Sequence, residues 1–362
     1  MHLRTTPLDL ALERPFTISR GTLYQARNLL LEIEADNATG LGEAGPDSSG
    51  YYGETRATME AALQVFADVL AGPAGNDPLL LEDITAALDQ SLHRNMAARS
   101  AVDMALYDLA GKILGVPVYR LLGLNPERTP LSSFTIAIAS PEEMARQAAA
   151  AAEAYPILKI KLGTSQDVEI VRAIRSVSKA TLRVDANAAW SPKEAVRAIE
   201  ALAPYGIELI EQPVAADDFE GLKLVHRHSP VPIIADESCV TLDDVPRVAG
   251  SVDGINIKLA KCGGIGNALK MIHAARAHHL QVMLGCMVSS SLAITAAAHL
   301  TPLVDFADLD GPLLLERDPF AGIRFQKGRI LLPDAPGLGV TARGQEDTGG
   351  TSENLGNVET EN

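Results

Sequence analysis

The sequence predicts an α/β protein built on a TIM-like (β/α)8 barrel, with an N-terminal α+β capping domain that C-terminal residues complete. From Leu131 onward, eight short apolar runs alternate with longer helical segments, which predicts eight parallel strands in a closed barrel. The chain has 362 residues, more than the roughly 250–300 at which a single core stops growing, so a smaller second domain is expected. A doubly wound open sheet is the rival fold, but no G-x-G-x-x-G motif follows an early strand.

The predicted domains follow changes of pattern along the chain. Residues 1–117 first alternate like antiparallel strands and then show apolar residues at helical spacing in three stretches, so they are assigned to the capping domain. The barrel is expected over 128–310, and the segment 311–342 is expected to return to the cap. The last stretch, 343–362, is polar, acidic and rich in glycine, which predicts a disordered tail.

The composition excludes several classes of partner and compartment. Asp and Glu outnumber Lys and Arg by 46 to 31, a formal net charge of −15, whereas nucleic acids and anionic membranes select basic faces. The N-terminus shows no signal-peptide pattern, and the longest uncharged stretch, 282–298, is too short and interrupted for a membrane span. Three cysteines without C-x-x-C spacing indicate neither a disulfide scaffold nor a zinc cluster. We therefore expect a soluble cytoplasmic protein that binds neither nucleic acid nor membrane.

Charged residues end five successive predicted strands, where a buried strand should be apolar. They are Lys161, Asp185, Glu211, Asp236 and Lys258, at intervals of 24, 26, 25 and 22 residues, about one strand–helix unit each. In a (β/α)8 barrel, residues at the carboxyl ends of the strands meet at the catalytic face. Any one of them could belong to an ion pair that closes the barrel rim, but five charged residues at regular intervals favour a functional site.

The three carboxylates of this set form an all-oxygen group without Cys or His. Asp185, Glu211 and Asp236 would repel one another without a cation, and oxygen ligands suit Mg²⁺ first and Mn²⁺ second. Lys161 and Lys258 come from strands on opposite sides of the barrel. A partly desolvated lysine beside Mg²⁺ has a lowered pKa and can act as a general base. Two such lysines could remove a proton on one face and return it on the other, which inverts a stereocentre.

A further lysine, Lys159, lies two residues before Lys161. On a strand both side chains point to the same side, here the barrel interior. A second buried lysine needs an anion, so we expect Lys159 to face a substrate carboxylate and to lower the pKa of Lys161. The alternative is a surface lysine, which would require the strand register to slip by one residue.

Read together, the segments KIKLG, RVDAN, IEQP, ADES, NIKLAKCGGI and PGLGV resemble the muconate lactonizing subgroup of the enolase superfamily. The resemblance runs from about Leu8 to Val340. It implies one Mg²⁺ per subunit, with Mn²⁺ as a possible substitute, and a Lys base that works with the metal on an α-proton. The metal ligands it implies are Asp185, Glu211 and Asp236, and the acid/base pair is Lys161 and Lys258. Lys261 is the weaker candidate for catalysis because it lies past the strand.

The predicted eighth strand, FADLDGP, separates the reactions that this subgroup shares. Asp308 and Asp310 are two residues apart, so both are expected to face the barrel mouth, where two more carboxylates need a cation. This D-x-D resembles the signature with which dipeptide epimerases hold the substrate ammonium group. The alternative is that one of the two caps a helix after the strand, since D-x-D-G-P also reads as a turn.

Other substrate contacts follow from the resemblance alone. The segment RPFTISRG resembles the N-terminal segment of L-Ala-D/L-Glu epimerases, whose arginine meets the Glu side-chain carboxylate. Here that residue would be Arg20, with Arg27 as its neighbouring alternative. Thr135 matches a substrate contact of the family in the first barrel strand. Two lid loops are expected, near 16–27 and 47–54.

The resulting hypothesis is a Mg²⁺-dependent dipeptide epimerase that inverts the α-carbon of the C-terminal residue by two-base 1,1-proton transfer. L-Ala-D/L-Glu is the first substrate, which the resemblance links to murein peptide recycling. Within the subgroup, the alternatives are an N-acylamino acid racemase or a cycloisomerase. From another class, the alternative is a catalytically silent barrel that acts as a binding protein. The partner is a small dipeptide, and a homo-oligomer is possible.

Overall fold

The computed structural model of the protein describes residues 1–47 and 50–344. Its first part is an antiparallel sheet of three strands in sequence order, β1 (His2–Ile18), β2 (Gly21–Ala35) and β3 (Ala38–Ala44). Four helices follow: α1 (Arg56–Ala71), α2 (Leu81–Ser91), α3 (Met96–Leu114) and the single turn α4 (Val118–Leu121). The N-terminal α+β part of the fold prediction is therefore confirmed.

Helix α1 shows how local sequence builds this part of the molecule. It begins at a capping box, in which the Thr55 side chain accepts from the Thr58 backbone and Thr58 accepts from the Thr55 backbone. Its buried apolar residues recur at helical spacing and face the cap core; they are Met59, Ala62, Leu63, Phe66 and Leu70.

Helix α3 is buried on nearly all sides because it lies between the cap sheet and the barrel. Gly40 and Gly42 of β3 pass so close to it that a Cβ on either would lie 2.0 Å from a backbone carbonyl of α3. On the other side, Asp103 accepts a hydrogen bond from Gly266 N at the start of a barrel helix. The cap is thus joined to the barrel by polar contacts as well as apolar packing.

The second part is a parallel sheet of eight strands in sequence order. The strands are β4 (Phe134–Ile136), β5 (Ile157–Lys161), β6 (Thr181–Asp185), β7 (Ile207–Glu211), β8 (Ile233–Ala235), β9 (Gly254–Ile257), β10 (Gln281–Leu284) and β11 (Phe306–Ala307). Ser133 N donates to Ala307 O (3.1 Å), and a bridge joins Ser132 to Ala307, so the first and last strands meet. The prediction of eight parallel strands in a barrel is confirmed.

Helices cover the outside of the barrel. They are α5 (Pro141–Ala152), α6 (Asp167–Val177), α7 (Pro192–Leu202), α8 (Phe219–His228), α9 (Val245–Val248), α10 (Leu259–Cys262), α11 (Ile265–Ala277) and α12 (Ser291–Ala298). Leu158 and Ile160 of β5 belong to the large core between strands and helices. Because side chains alternate along a strand, Lys159 and Lys161 face the barrel interior.

The strand–helix alternation is not uniform. The helix after β8, α9, is a single turn, and after β11 the chain makes only a short 3-10 turn at Gly311–Leu314. The chain then forms β12 (Phe320–Ala321), β13 (Arg324–Gln326), β14 (Arg329–Leu331) and β15 (Thr341–Ala342). This segment contacts the cap, where Glu316 N donates to Ala11 O (3.0 Å) and Leu338 N donates to Asp108 Oδ1 (2.7 Å).

The structure describes the two expected lid loops to different extents. The segment 16–27 forms the end of the β1–β2 hairpin, where the two strands pair almost to their ends and leave only Ser19 and Arg20 as the turn. Of the second expected loop, 47–54, residues 48 and 49 lie outside the described residues. From residue 345 onward, the expected disordered tail also lies outside them. No helix in the described ranges is long and apolar enough to cross a membrane.

Candidate active site

The barrel strands bring the five regularly spaced charged residues to one end of the barrel. Lys161, Asp185 and Glu211 are the last residues of β5, β6 and β7, and they lie side by side in the parallel register. Asp236 and Lys258 each follow their strand by one residue. All five side chains are buried, with at most 7% of the residue surface exposed.

Each of the two predicted acid/base lysines contacts a different carboxylate. Lys161 Nζ donates to Asp185 Oδ2 (2.6 Å), and Lys258 Nζ donates to Asp236 Oδ2 (2.8 Å). Burial lowers the pKa of Lys258, but the nearby carboxylates of Asp236 and Glu211 outweigh it and leave the pKa above its ordinary value. Lys258 is therefore an ammonium group in this arrangement, with Asp236 as its counterion.

Lys159 lies at the centre of the carboxylates. Its Nζ is 2.7 Å from Asp308 Oδ2, 2.7 Å from Glu211 Oε2 and 3.1 Å from Asp185 Oδ2. Burial disfavours the charged amine, but the three carboxylates raise the pKa of Lys159 well above its ordinary value. The side chain is inside the barrel, as expected, so the surface alternative with a slipped register is wrong.

The carboxylates differ in their electrostatic environment. Burial, together with repulsion by Asp185, raises the pKa of Glu211 to about 8 although Lys159 is close. For Asp236, burial is outweighed by Lys258 and Lys261, which hold its pKa well below the usual range. Glu211 is therefore the member of the group whose negative charge is least compensated.

The residues fit a hard divalent cation by their chemistry. Among the described residues, no group of three or more His, Cys, Asp or Glu side chains is gathered closely enough to hold a metal as it stands. Lysine ammonium groups, which are themselves cations, lie between the carboxylates of Asp185, Glu211 and Asp236. Glu211 Oε2 is buried and accepts no hydrogen bond. An all-oxygen set of three carboxylates, of which Glu211 is the least compensated, suits Mg²⁺ or Mn²⁺.

Asp308 and Asp310 lie just past the eighth strand and not on it, because β11 ends at Ala307. Both are nevertheless buried. Asp308 Oδ1 accepts from Ser133 Oγ (2.6 Å), and Asp310 Oδ2 accepts from Thr135 N (2.6 Å). Asp310 precedes the 3-10 turn, but its side chain makes no capping hydrogen bond there, which disfavours the helix-cap alternative. Burial and repulsion by Asp308 raise the pKa of Asp310 to about 6.

The tip of the β1–β2 hairpin lies over the mouth of the barrel. Arg20 Nη1 donates to Glu237 Oε1 (2.6 Å) and to Asn187 O (3.0 Å), and the guanidinium lies 4.5 Å from the centre of the Tyr51 ring. Arg27 is exposed and is not among the residues that line the cavity described next. The hairpin therefore places Arg20, and not its alternative, at the mouth.

A cavity of about 300 Å³ lies between the hairpin tip and the barrel. Its lining includes seven of the ten residues that the sequence analysis singled out, namely Arg20, Thr135, Lys159, Lys161, Lys258, Asp308 and Asp310. Apolar wall residues include Phe16, Ile18, Leu23, Met287, Val288 and Leu314. The three carboxylates Asp185, Glu211 and Asp236 do not line it, and each of them contacts at least one of the cavity-lining lysines.

Several side chains hold the site in roles that were not predicted from the sequence. Lys261 is not on the cavity; its Nζ donates to Asp236 Oδ1 (2.5 Å) and to the Asn256 carbonyl (3.0 Å), among others. Asn256 Nδ2 donates to Glu211 Oε1 (2.8 Å). Asn256 is a polar residue in a buried strand, two positions before Lys258, and this pattern could have predicted that its side chain faces the site. Ser133 and Glu237 carry no comparable signal, because their roles depend on distant partners.

Comparisons with known proteins agree with this architecture. Residues 2–123 match the family described as mandelate racemase / muconate lactonizing enzyme, N-terminal domain, and residues 143–346 match the enolase C-terminal domain-like family. An L-Ala-D/L-Glu epimerase of Bacteroides thetaiotaomicron is 40% identical over 94% of this chain and 88% of its own length. A hydrophobic dipeptide epimerase of Enterococcus faecalis is 38% identical over 94% of this chain and 98% of its own.

Solved structures show the same similarity. The dipeptide epimerase of Enterococcus faecalis, complexed with Mg and the dipeptide L-Leu-L-Tyr, has a TM-score of 0.89 and 38% identity, covering 94% of this chain and 99% of that one. A substrate-liganded complex of the L-Ala-D/L-Glu epimerase from Bacillus subtilis has a TM-score of 0.89 and 37% identity, covering 94% and 98%. With both halves of the chain matched in order, the protein belongs to the mandelate racemase / muconate lactonizing enzyme family of the enolase superfamily.

Proposed function

We propose that the protein is a Mg²⁺-dependent dipeptide epimerase that inverts the α-carbon of the C-terminal residue, with L-Ala-D/L-Glu as its first substrate. One observation carries the proposal: Lys161 and Lys258 open onto a single cavity that also contains Asp310. The cavity thus combines two groups that can exchange a proton with a carboxylate that can bind an ammonium group. Relatives with 37–40% identity over more than nine-tenths of this chain, named L-Ala-D/L-Glu epimerases, support the choice of substrate.

Asp185, Glu211 and Asp236 are the residues that would hold the magnesium ion. When bound, the ion would neutralise negative charge that develops on the substrate carboxylate as the α-proton leaves, as in enolase-superfamily sites generally. Lys261 keeps Asp236 in place from outside the cavity through Oδ1. Asn256 does the same for Glu211 through Oε1.

Lys161 and Lys258 exchange the proton. They extend from β5 and from the end of β9, strands on opposite sides of the barrel. One lysine, as the neutral amine, takes the α-proton; the other, as the ammonium, donates a proton to the opposite face of the same carbon. No electron is transferred, and the two lysines exchange protonation states, so each acts as the base for one diastereomer.

Other residues bind and orient the dipeptide. Asp310 binds the N-terminal ammonium, and Thr135, whose N–H donates to Asp310, keeps that carboxylate in place. Lys159 faces the substrate carboxylate, and Asp308 binds the ammonium together with Asp310. Arg20 contacts the Glu side chain of the substrate from the hairpin tip. The hairpin covers the cavity and excludes water from the proton transfer.

Proton NMR in D₂O with L-Ala-L-Glu and Mg²⁺ tests the proposal directly. We expect the Glu α-proton signal to disappear and L-Ala-D-Glu to accumulate, with both changes abolished by EDTA. N-acetyl-L-Ala-L-Glu is the matched control, because it lacks the ammonium group: equal turnover of both compounds would indicate an N-acylamino acid racemase. Absence of exchange across a panel of dipeptides would refute the proposal and favour a binding protein. Murein peptide recycling, the cytoplasmic location and a homo-oligomer remain predictions.

A further inference from the structure

We propose that Asp308 is a positioning residue whose task is to hold the ammonium group of Lys159, so that Asp185 and Glu211 are available to a divalent cation. Asp308 thereby has a role that Asp310 lacks, although the two carboxylates lie two residues apart just past the same strand. The inference rests on the proposed function in one respect, the assignment of Asp185 and Glu211 as metal ligands.

The geometry around Lys159 distinguishes Asp308 from the other two carboxylates. Its Nζ is within ion-pair distance of three carboxylates, but it donates a hydrogen bond of good geometry to Asp308 Oδ2 (2.7 Å). The contact with Glu211 Oε2 is equally short, yet this oxygen accepts no hydrogen bond. The Asp185 oxygen lies farther away, at 3.1 Å, and accepts its hydrogen bond from Lys161. Lys159 is therefore directed at Asp308 and only adjacent to the other two.

Asp308 is itself held in place through its second carboxylate oxygen. Its other oxygen, Oδ1, accepts from Ser133 Oγ (2.6 Å), and Ser133 lies where the first and last strands close the barrel. Both carboxylate oxygens of Asp308 are thus already engaged within the protein. By contrast, no Lys, Arg or His among the described residues lies within ion-pair distance of Asp310, so its charge is available to a substrate cation.

The physical consequence concerns competition for the carboxylates. A divalent cation on Asp185 and Glu211 takes the place of the Lys159 ammonium, whose side chain is only 2% exposed and cannot turn to water. A buried ammonium without a partner is strongly unfavourable. With Asp308 present, Lys159 keeps one charged hydrogen bond when the cation binds. Without Asp308, the ammonium stays on Asp185 and Glu211 and competes with the cation.

Metal binding to the full-length protein, measured without turnover, tests the inference. Mn²⁺ affinity is determined by electron paramagnetic resonance or calorimetry for the wild type, Asp308→Asn and Asp310→Asn. The two variants lose the same charge at nearly the same place, so Asp310→Asn is the matched control. We expect Asp308→Asn to weaken Mn²⁺ binding roughly tenfold more than Asp310→Asn does, because it alone leaves Lys159 without its partner. Equal effects of the two variants would overturn the inference.

A double variant separates this role from a direct effect on the metal. In a Lys159→Met background the competing ammonium is absent, so Asp308→Asn should weaken Mn²⁺ binding no further than Asp310→Asn. If the difference between the two aspartates persists without Lys159, Asp308 does not act through Lys159. Should Asp308→Asn fail to fold, Ser133→Ala loosens Asp308 without a charge change and should weaken Mn²⁺ binding in the wild type but not in Lys159→Met.

The two proposals fail in different ways. Absence of α-proton exchange by the wild type would refute the epimerase and leave the Mn²⁺ comparison standing. An Asp308 effect that is independent of Lys159 would refute the inference and leave the epimerase standing. Failure of the wild type to bind Mn²⁺ would refute the metal assignment and, with it, the inference.

Discussion

Replacing Asp310 with asparagine should selectively weaken the use of dipeptides that have a free ammonium group. Asp310 is 3% exposed, and burial and the charge of Asp308 raise its pKa to about 6. An ammonium group that binds here therefore relieves the repulsion between the two carboxylates. Asparagine keeps the shape of the side chain and can still accept from Thr135 N. A hydrogen bond to a charged partner contributes about 1.5–3 kcal/mol, so kcat/KM for L-Ala-L-Glu should fall roughly 10- to 150-fold.

The assay compares two substrates and one binding constant. Epimerisation of L-Ala-L-Glu and of N-acetyl-L-Ala-L-Glu is followed by proton NMR at saturating Mg²⁺, and Mn²⁺ affinity is measured on the same protein. Asp310→Asn should raise KM for the free dipeptide while kcat/KM for the acetylated compound changes little. Equal losses for both compounds, or loss of Mn²⁺ binding in proportion to the loss of activity, would refute the assignment of Asp310 to the ammonium group.

The raised pKa of Asp310 also predicts a pH dependence. As pH falls through about 6, the carboxylate becomes protonated and its attraction for the ammonium disappears, so kcat/KM for L-Ala-L-Glu should decrease on the acid side. Asp310→Asn has no group that titrates at this position and should lack that limb of the profile. If kcat/KM decreases at low pH in the same way in the wild type and in Asp310→Asn, the decrease is caused by another residue.

Three further predictions address proton transfer, the cap and the fold. Lys258→Met should reduce epimerisation by about 10²–10⁴-fold, yet one diastereomer should still exchange its α-proton with D₂O at Lys161. Proton NMR that shows exchange of neither diastereomer would contradict the two-base assignment. Burial raises the pKa of Glu43 from 4.5 to about 7, so its contribution to stability is present at low pH and lost as pH rises through 7, by up to about 3 kcal/mol. The free energy of unfolding, measured with urea between pH 5 and 8, should therefore depend less on pH in Glu43→Gln than in the wild type. The same pH dependence in both proteins would contradict this prediction. Gly42→Ala places a Cβ 2.0 Å from Ala101 O and should lower the unfolding free energy by about 1–3 kcal/mol or more. Gly72→Ala, with no atom nearer than 3.4 Å to the added Cβ, is its control and should change it little.

The barrel could be predicted because its signal is repeated and local. Each strand is a short apolar run bounded by turn residues, and the repetition of strand and helix predicts a parallel sheet without knowledge of distant contacts. The departures were not predictable in the same way. The single turn of α9 and the absence of a long helix after β11 depend on what else covers the barrel.

The hairpin at 16–27 shows what a local segment leaves open. The resemblance of RPFTISRG to the N-terminal segment of L-Ala-D/L-Glu epimerases predicts a lid here but does not indicate how its backbone is paired. In the structure, Phe16 pairs with Leu23 after a register shift in two long antiparallel strands. Pairing depends on which residues face each other across the turn, and this is decided by packing against the rest of the cap and not by the segment itself.

The sequence by itself determined which charged residues reach the mouth of the barrel. Parallel strands in a closed barrel all end on one face, so the spacing of Lys161, Asp185, Glu211, Asp236 and Lys258 was sufficient to place them there. The chemical nature of the set, three carboxylates among lysines, also indicates a hard cation and proton transfer.

Only the tertiary structure decided which of these groups contact one another. Lys159 is directed at Asp308, Lys261 holds Asp236 beside Lys258, and Arg20 meets Glu237, all contacts between residues at least 22 positions apart in the chain. Their distances depend on how far the barrel closes and how each strand is staggered, to within about an ångström. Hydrogen bonds are lost over that same distance, so a pattern of residue types can predict the members of a site but not its pairings.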